Sequence, residues 1–193
     1  MNIAIIGTGN VGGALATNWA KKGHLIHLGV QDVNNFKGKQ LLSNDNIAVF
    51  SIDKAVALSQ VILIAIPPAA IAEVVQQMGD VTGKIIIDAT NAVSKQPEPY
   101  KTVYHYLADQ TKAEVVKCFN STGFENMLDP KYGDEGIDMF MAGDSEIAKD
   151  IAVQIALDGG FENCYDFGKA DKVALLEQFA LSWINLAIMQ GHG

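Results

Sequence analysis

Basic residues are scarce in this 193-residue chain, which carries 14 Lys and Arg together against 22 Asp and Glu. The formal net charge is −8 at pH 7, and the isoelectric point is about 4.8. A protein that follows nucleic-acid phosphates or anionic lipid needs an excess of Lys and Arg. The composition therefore argues against nucleic acid and against a membrane surface as partners.

Cysteine is also rare, and the two thiols, Cys118 and Cys164, have neither the spacing of a metal site nor that of a redox pair. We expect reduced thiols in a cytoplasmic protein without a metal site. The longest uninterrupted apolar run, residues 61–72, is too short for a membrane span, and no charged leader precedes the first strand. The sequence thus predicts neither export nor membrane insertion.

Continuous apolar runs are present at residues 3–6, 61–66 and 85–87, and such runs are typical of strands buried on both faces. Helical patterns alternate with them at 10–22, 51–59 and 68–78, with Ser51 as a candidate cap and Pro68 at a helix start. Weaker strands are predicted at 24–30, 46–50, 114–119, 137–142 and 161–165, and further helices at 35–43, 99–110 and 144–158. This succession predicts the α/β class, a Rossmann-type, doubly wound and mainly parallel sheet with a short C-terminal helical extension. Residues 94–100 form a proline-bearing loop.

The segment from 169 to about 190 differs from the rest, since its apolar residues recur at helical spacing over five turns. We predict a dinucleotide-binding domain over 1–168 and an amphipathic helix within 169–193. Two interpretations of the apolar stripe on this helix stay open. The stripe packs on the dinucleotide-binding domain, or it covers a cofactor or forms the interface of a homodimer. Phe179 and Trp183 belong to that stripe.

The motif Gly7-x-Gly9-x-x-Gly12 lies between a buried strand and a helix, the context in which it indicates a dinucleotide site. Gly7 permits the tight turn, Gly9 leaves the pyrophosphate unobstructed, and Gly12 allows close packing of helix and strand. The helix that starts near Asn10 directs its unpaired N–H groups at the phosphates.

Ligands of such sheets lie across the carboxyl ends of the strands, so the residues that follow each buried run are candidate site residues. Ile66 and Pro67 follow the fourth strand, Asn91 and Ala92 the fifth, and Asn120 the sixth. These positions would line the nicotinamide half of the cleft. The amides of Asn91 and Asn120 would either bind a carboxamide or substrate oxygen, or cap the next turn.

The segments "MNIAIIGTGNVGGALA", "VILIAIPPAAI", "IIIDATNAV", "VVKCFNSTGFENM", "MFMAGD" and "LLEQFALSWINLAIMQGHG" together resemble the family of coenzyme F420-dependent NADP oxidoreductases. The resemblance implies a Rossmann fold that binds NADP along the strand ends, with a flavin-like or F420-like deazaflavin co-substrate stacked on the nicotinamide. It also implies cofactor contacts for residues that match the family's motifs. These are Gly7, Thr8, Gly9, Asn10, Val11 and Gly12 on the adenosine side, Ala65, Ile66 and Pro67 along the cofactor, and Asn91 and Asn120 near the nicotinamide.

None of the four histidines, His24, His27, His105 and His192, falls beside a predicted strand-end loop, and we assign no catalytic residue. Hydride transfer to a flavin-like or deazaflavin ring depends mainly on stacking and on exclusion of water, so it needs no acid or base. A metal chelate is the other acceptor that we expect. The sequence therefore predicts an NAD(P)H-dependent oxidoreductase with a small-molecule redox acceptor. Two alternatives are a non-enzymatic NAD(P)H-binding redox sensor and an imine reductase of the pyrroline-5-carboxylate reductase type.

The stretch "LGVQD", residues 28–32, bears on the choice between NADP and NAD. Relatives in the family tend to have Gly-Ser-Arg here, where this chain has Gly29, Val30 and Gln31. Val30 has no hydroxyl and Gln31 no guanidinium, and a charge-assisted bidentate contact is about twice as strong as a neutral one. Asp32 stands where an NAD-type acid is expected, or caps the turn before Asn34. We therefore expect weaker discrimination for NADP, or a preference for NAD.

Overall fold

The computed structural model of the chain describes residues 1–93 and 96–192, so Ser94 and Lys95 of the predicted loop 94–100 lie outside the described residues. One eight-stranded sheet organises the fold, in the order β10-β9-β6-β5-β4-β1-β2-β3. The strands are β1 (Asn2–Ile6), β2 (Leu25–Val30), β3 (Ile47–Ser51), β4 (Val61–Ile64), β5 (Ile85–Asp88), β6 (Glu114–Cys118), β9 (Met139–Ala142) and β10 (Cys164–Asp166). A separate hairpin consists of β7 (Lys131–Tyr132) and β8 (Glu135–Gly136).

Neighbouring strands of this sheet run parallel, except for β6 and β9, where Cys118 pairs with Met141 in the antiparallel sense. A parallel neighbour needs a long crossover, commonly a helix. Between β6 and β9 the chain forms only a five-residue helix and the β7–β8 hairpin.

The strand order reverses between β1 and β4, and this is where such sheets bind ligands.

Helices cover both faces of the sheet. The α-helices within the described ranges are α1 (Asn10–Lys21), α2 (Ile52–Ala57), α3 (Ile71–Met78), α4 (Val103–Gln110), α5 (Phe124–Leu128), α6 (Glu146–Asp158) and α7 (Val173–Ile184). Because successive strand residues point to opposite faces, Ile3 and Ile5 pack with Trp19 of α1 in one core, whereas Ala4 and Ile6 belong to a second core. The predicted Rossmann-type, doubly wound sheet is confirmed.

The boundaries differ from the sequence prediction at several places. The helix predicted over 35–43 is a short 3-10 turn, Lys39–Ser43, because Gly38 takes a left-handed φ of 90° immediately before it. Ser51 stands at the start of α2, but its side chain makes no capping hydrogen bond. The predicted strand 161–165 begins only at Cys164.

The C-terminal segment is helical as predicted, with α7 flanked by a 3-10 turn (Ala170–Lys172) and a π turn (Asn185–Met189). Val173 and Leu176 pack into the second core. Phe179 is partly exposed but packs edge-on against Phe140, whereas Leu186 lies on the exposed side. The helical segment Ala170–Met189 is long and apolar enough to cross a membrane, but apolar helices of soluble proteins meet the same two criteria. The sequence prediction that no segment inserts into a membrane considered residues 61–72 and overlooked this one. The domain division at 168 stays a prediction.

Candidate functional site

The glycine loop connects β1 to α1, and two of its glycines are required by the fold itself. A Cβ on Gly7, whose φ is 106°, would lie 2.2 Å from the carbonyl oxygen of Ala65. A Cβ on Gly12 would lie 1.9 Å from the carbonyl oxygen of Gly7. A Cβ on Gly9, in contrast, would meet no atom within 4 Å. The fold therefore does not explain the small residue at Gly9, which borders open space.

The amino end of α1 offers donors to that space. Gly9 caps the helix without a side-chain hydrogen bond, and Asn10, the first helical residue, is exposed. The Thr8 hydroxyl donates to the carbonyl oxygen of Lys37 at 2.5 Å and so joins the glycine loop to the loop after β2. Unpaired N–H groups at a helix start favour an anion. Val11 differs from its neighbours, since its side chain packs against the first core.

A cavity of about 330 Å³ lies beside the glycine loop, between β2 and the start of α3. It brings together predicted site residues from three segments, which are Gly7, Thr8, Val30, Gln31, Ile66 and Pro67. Ala65 lies behind them, and its backbone N–H donates to Ile6 at 2.9 Å. We refer to this cavity as the ribose pocket, after the group that the glycine motif predicts beside it.

Polar groups at the ribose pocket are acidic or neutral. Asp32 is the one charged side chain among the described residues that line it. Its Oδ1 accepts from the Asn34 backbone N–H at 2.8 Å, so the carboxylate caps the turn, one of the two roles expected from the sequence. Nε2 of Gln31 donates to Oε1 of Glu73 on α3 at 2.8 Å. Sequence reasoning missed Glu73, which lies 42 residues from Gln31.

Asn91 and Asn120 pair reciprocally where β5 and β6 end. Nδ2 of Asn91 donates to the carbonyl oxygen of Asn120 at 2.8 Å, and Nδ2 of Asn120 donates to Oδ1 of Asn91 at 2.9 Å. The buried Oδ1 of Asn120 and the buried hydroxyl of Thr90 have no hydrogen-bond partner in the described part of the chain. Buried polar atoms without a partner are costly and are commonly satisfied by a ligand or a water.

Phe119 directs the chain from β6 into Asn120. It is the one non-glycine residue in the described ranges with a positive φ, 60°, and it is fully buried. Its ring packs edge-on against Trp19, with centroids 5.5 Å apart, and lies 6.0 Å from that of Phe161. A bulky residue in the left-handed region costs about 1 kcal/mol or more, and such strain often accompanies functional sites.

A buried charge cluster lies directly behind the loop that follows β5. Nζ of Lys117 lies 2.9 Å from Oδ2 of Asp88 and 2.6 Å from Oε1 of Glu177, and it also donates to the carbonyl oxygen of Thr90. Lys117 and Asp88 are fully buried. A lysine inside the apolar run "VVKC" and an acid ending "IIID" were signals in the sequence, but nothing local indicated Glu177, 60 residues further on.

Histidines and cysteines lie elsewhere. His24 lies just before β2, not on that strand as the sequence predicted, and it pairs with Asp158 at 3.0 Å. His27 lies 2.9 Å from the Ser59 hydroxyl. The thiols of Cys118 and Cys164 are free, as predicted, but their Sγ atoms lie 4.0 Å apart, and burial raises the pKa of Cys118. Within residues 1–93 and 96–192, no three His, Cys, Asp or Glu side chains form a metal site.

Comparison with known proteins agrees with this geometry. Residues 2–92 match the family described as NADP oxidoreductase, coenzyme F420-dependent, and this span runs from β1 to the residues after β5. The resemblance identified from the sequence is thereby confirmed. Over residues 2–92 this chain is therefore similar to that family of oxidoreductases.

Among curated proteins, glycerol-3-phosphate dehydrogenase (NAD(P)+) of Clostridium acetobutylicum is 27% identical over 210 residues. The match covers 90% of this chain, which spans only 63% of that relative's length.

Two solved structures share the fold. A candidate F420-dependent NADP reductase from Arthrobacter sp. FB24 superposes with a TM-score of 0.85 at 23% identity, covering 99% of this chain and 95% of that one. A reductive aminase from Aspergillus terreus, solved with NADPH4, cyclohexanone and allyl amine, gives 0.73 at 18% identity and covers 98% of this chain and 62% of that one. At these identities the likeness establishes the fold.

Proposed function

We propose that this chain binds a nicotinamide dinucleotide across the carboxyl ends of its central strands and transfers hydride between it and a flavin-like or deazaflavin acceptor. The observation that carries the proposal is the open space at Gly9, next to the exposed start of α1. Gly7 and Gly12 are explained by packing, so Gly9 is the glycine whose missing side chain serves a ligand. A pyrophosphate there would accept from the N–H groups of α1.

The nicotinamide, when bound, supplies the hydride, and the residues of this chain hold and orient the nicotinamide ring. In this proposal Ile66 and Pro67 form an apolar wall of the ribose pocket. The unpartnered Oδ1 of Asn120 is the acceptor suited to a carboxamide N–H. Asn91 positions Asn120 through their two hydrogen bonds.

We favour a flavin-like or deazaflavin acceptor because, among the described residues, we find no lysine or histidine at the ends of β5 and β6 that is free to donate a proton to the acceptor. Lys117 lies on β6 near the strand ends, and its three N–H groups already meet Asp88, Thr90 and Glu177. His24 and His27 are paired with Asp158 and Ser59, away from the strand-end loops. A flavin-like ring or a deazaflavin, and likewise a metal chelate, needs no acid from the protein.

The proposed coenzyme preference follows from charge. The chain contains no arginine at all, so no guanidinium can bind a 2′-phosphate. Gln31 donates to Glu73, and Asp32 faces the same pocket. A 2′-phosphate in this pocket would meet the carboxylate of Asp32 and an amide already bonded to Glu73, so NADH is expected to bind at least as tightly as NADPH.

An assay of acceptors tests this proposal. Purified protein is mixed with NADH or NADPH and, separately, with F420, free flavins, a ferric chelate and a cyclic imine, and oxidation of the nicotinamide is followed by absorbance. Oxidation with F420 or flavin supports the proposal. Oxidation with the imine alone would favour the imine reductase, which the fold shared with the reductive aminase makes the second candidate. Tight coenzyme binding without any oxidation would favour the redox sensor.

A further inference from the structure

Glu177 of α7 connects the C-terminal helix to the loop that follows β5. Its Oε2 accepts from the backbone N–H of Ala92 at 3.0 Å, while its Oε1 accepts from Nζ of Lys117 at 2.6 Å. Only 8% of Glu177 is exposed, so solvent does not compete for these bonds. One carboxylate from another part of the chain therefore holds two groups at the strand ends.

The same cluster holds this loop on both sides of Asn91. Lys117 donates to the carbonyl oxygen of Thr90, before Asn91, and Glu177 accepts from Ala92, after it. Asp88 accepts from Lys117 with one oxygen and from the backbone N–H of Thr90 with the other, at 2.9 Å in each case. The backbone that presents Asn91 is thus fixed by charge-assisted bonds, which are about twice as strong as neutral ones.

Fold stability alone is a weak reason for such a cluster. Buried ion pairs are often replaceable by apolar residues of similar size without loss of stability, because removing charges from water is expensive. Around this cluster the two cores already offer apolar surroundings, and Leu176, next to Glu177, packs into one of them. The cluster instead fixes three backbone groups of the loop, which are the carbonyl and the N–H of Thr90 and the N–H of Ala92.

We propose that Glu177 is a positioning residue for the nicotinamide half of the site, which makes α7 part of that site although it lies beyond the family match. The inference rests on the proposed function. Glu177 does not touch the coenzyme in this proposal; it fixes the backbone of residues 90–92, which hold Asn91 against Asn120. Loss of the carboxylate should therefore affect binding of the nicotinamide half and spare the adenosine half.

Glu177→Gln is the direct test, because Gln has one acceptor oxygen where Glu has two. Either the N–H of Ala92 or the ammonium of Lys117 then loses its partner. Kd is measured for NADH and for ADP-ribose, which lacks the nicotinamide. We expect Kd for NADH to rise about tenfold and Kd for ADP-ribose to change less than about twofold. Glu177→Asp keeps the charge but is one methylene shorter, so its Kd for NADH should lie between those of wild type and Glu177→Gln. Glu177→Asp is the test variant if Glu177→Gln does not fold.

Asp166→Asn controls for the loss of a carboxylate, although 43% of the Asp166 side chain is exposed. Asp166 lies 2.9 Å from the buried Lys149, so this variant also neutralises a carboxylate paired with a buried lysine, but on β10. It should leave both dissociation constants unchanged. Equal weakening of NADH and ADP-ribose in the Glu177 variants, or no weakening of either, would overturn the positioning role. Wild-type protein that binds neither compound would overturn the proposed function itself, and this inference with it.

Discussion

Gln31 and Glu73 are hydrogen-bonded across the edge of the ribose pocket, with Nε2 of Gln31 2.8 Å from Oε1 of Glu73. Oε1 of Glu73 also accepts from Gln77 at 3.1 Å. The amide of Gln31 is therefore already paired with a carboxylate. A 2′-phosphate would have to displace that bond and to lie next to a like charge, so we expect this pocket to bind NADH at least as tightly as NADPH.

Gln31→Arg should shift binding toward NADPH. A guanidinium would offer the charge-assisted contact that wild type lacks, and we expect the ratio of NADPH to NADH affinity to rise about tenfold. Adding Glu73→Gln should raise the ratio further, since Glu73 would otherwise pair with the new arginine. The measurement is Kd for each coenzyme by fluorescence titration.

Gln60→Arg controls for the added charge, because Gln60 is exposed and lies at the amino end of β4, whereas Gln31 follows the carboxyl end of β2. In Gln60→Arg the ratio of NADPH to NADH affinity should stay at the wild-type value. If wild type already prefers NADPH about a thousandfold, or roughly 4 kcal/mol, our interpretation of Gln31 is wrong.

Gly9 and Gly12 should respond differently to alanine. A Cβ on Gly9 meets no atom within 4 Å, so Gly9→Ala should keep its melting temperature yet bind NADH about tenfold or more weakly, because the methyl group enters the pyrophosphate space. A Cβ on Gly12 would lie 1.9 Å from a backbone oxygen, so Gly12→Ala should lower the melting temperature. Calorimetry and titration of both variants test this contrast. Unimpaired coenzyme binding by Gly9→Ala would contradict the assignment of the glycine loop.

Acid should destabilise the protein partly through His27. Burial lowers the pKa of His27 in the folded state, whereas in the unfolded chain histidine titrates near its ordinary value of about 6.5. The unfolded chain therefore takes up this proton first, and stability is lost as the pH falls below about 6.5. We expect the free energy of unfolding in urea to fall between about pH 7.5 and pH 5.5, and to fall less in His27→Gln. An identical decrease in both proteins would exclude His27 as a source.

The exposed side of the C-terminal helix is expected to join two copies of the chain. Leu175, Phe179 and Leu186 are 54%, 43% and 55% exposed, and an apolar surface of this kind commonly meets a partner. Sedimentation at micromolar concentration should give the mass of a dimer, and Leu186→Glu should shift it toward the monomer. Leu157→Glu, at a residue of α6 that is 47% exposed, should leave the mass unchanged. A monomeric wild type would contradict the expectation.

Most of the sheet could be predicted from the sequence because its inner strands are buried on both faces. The run at 61–66 and the run at 85–87 became β4 and β5, and the glycine loop follows β1 as expected. The β7–β8 hairpin could not be predicted, since its strands have two residues each and no period can be read from two residues. The antiparallel direction of β9 depends on that hairpin.

The candidate site was predictable where it is local and not where it is assembled from distant segments. The roles of Gly7, Gly9 and Gly12 follow from their spacing. Glu73 and Glu177 reach the site from helices 42 and 60 residues away from Gln31 and Lys117, and no local pattern pairs them. Such pairings depend on which helix packs over which strand, and that is decided by the whole core.

The most direct test of hydride transfer uses NADH that carries deuterium at the transferred position of the nicotinamide. F420 is the acceptor of choice because a deazaflavin receives hydride at carbon, where the label does not exchange with water. We predict that the protein oxidises the labelled coenzyme and that mass spectrometry finds one deuterium in the reduced F420. Reduced F420 without the label, or coenzyme that binds but stays reduced with both F420 and free flavins, would contradict the proposed function.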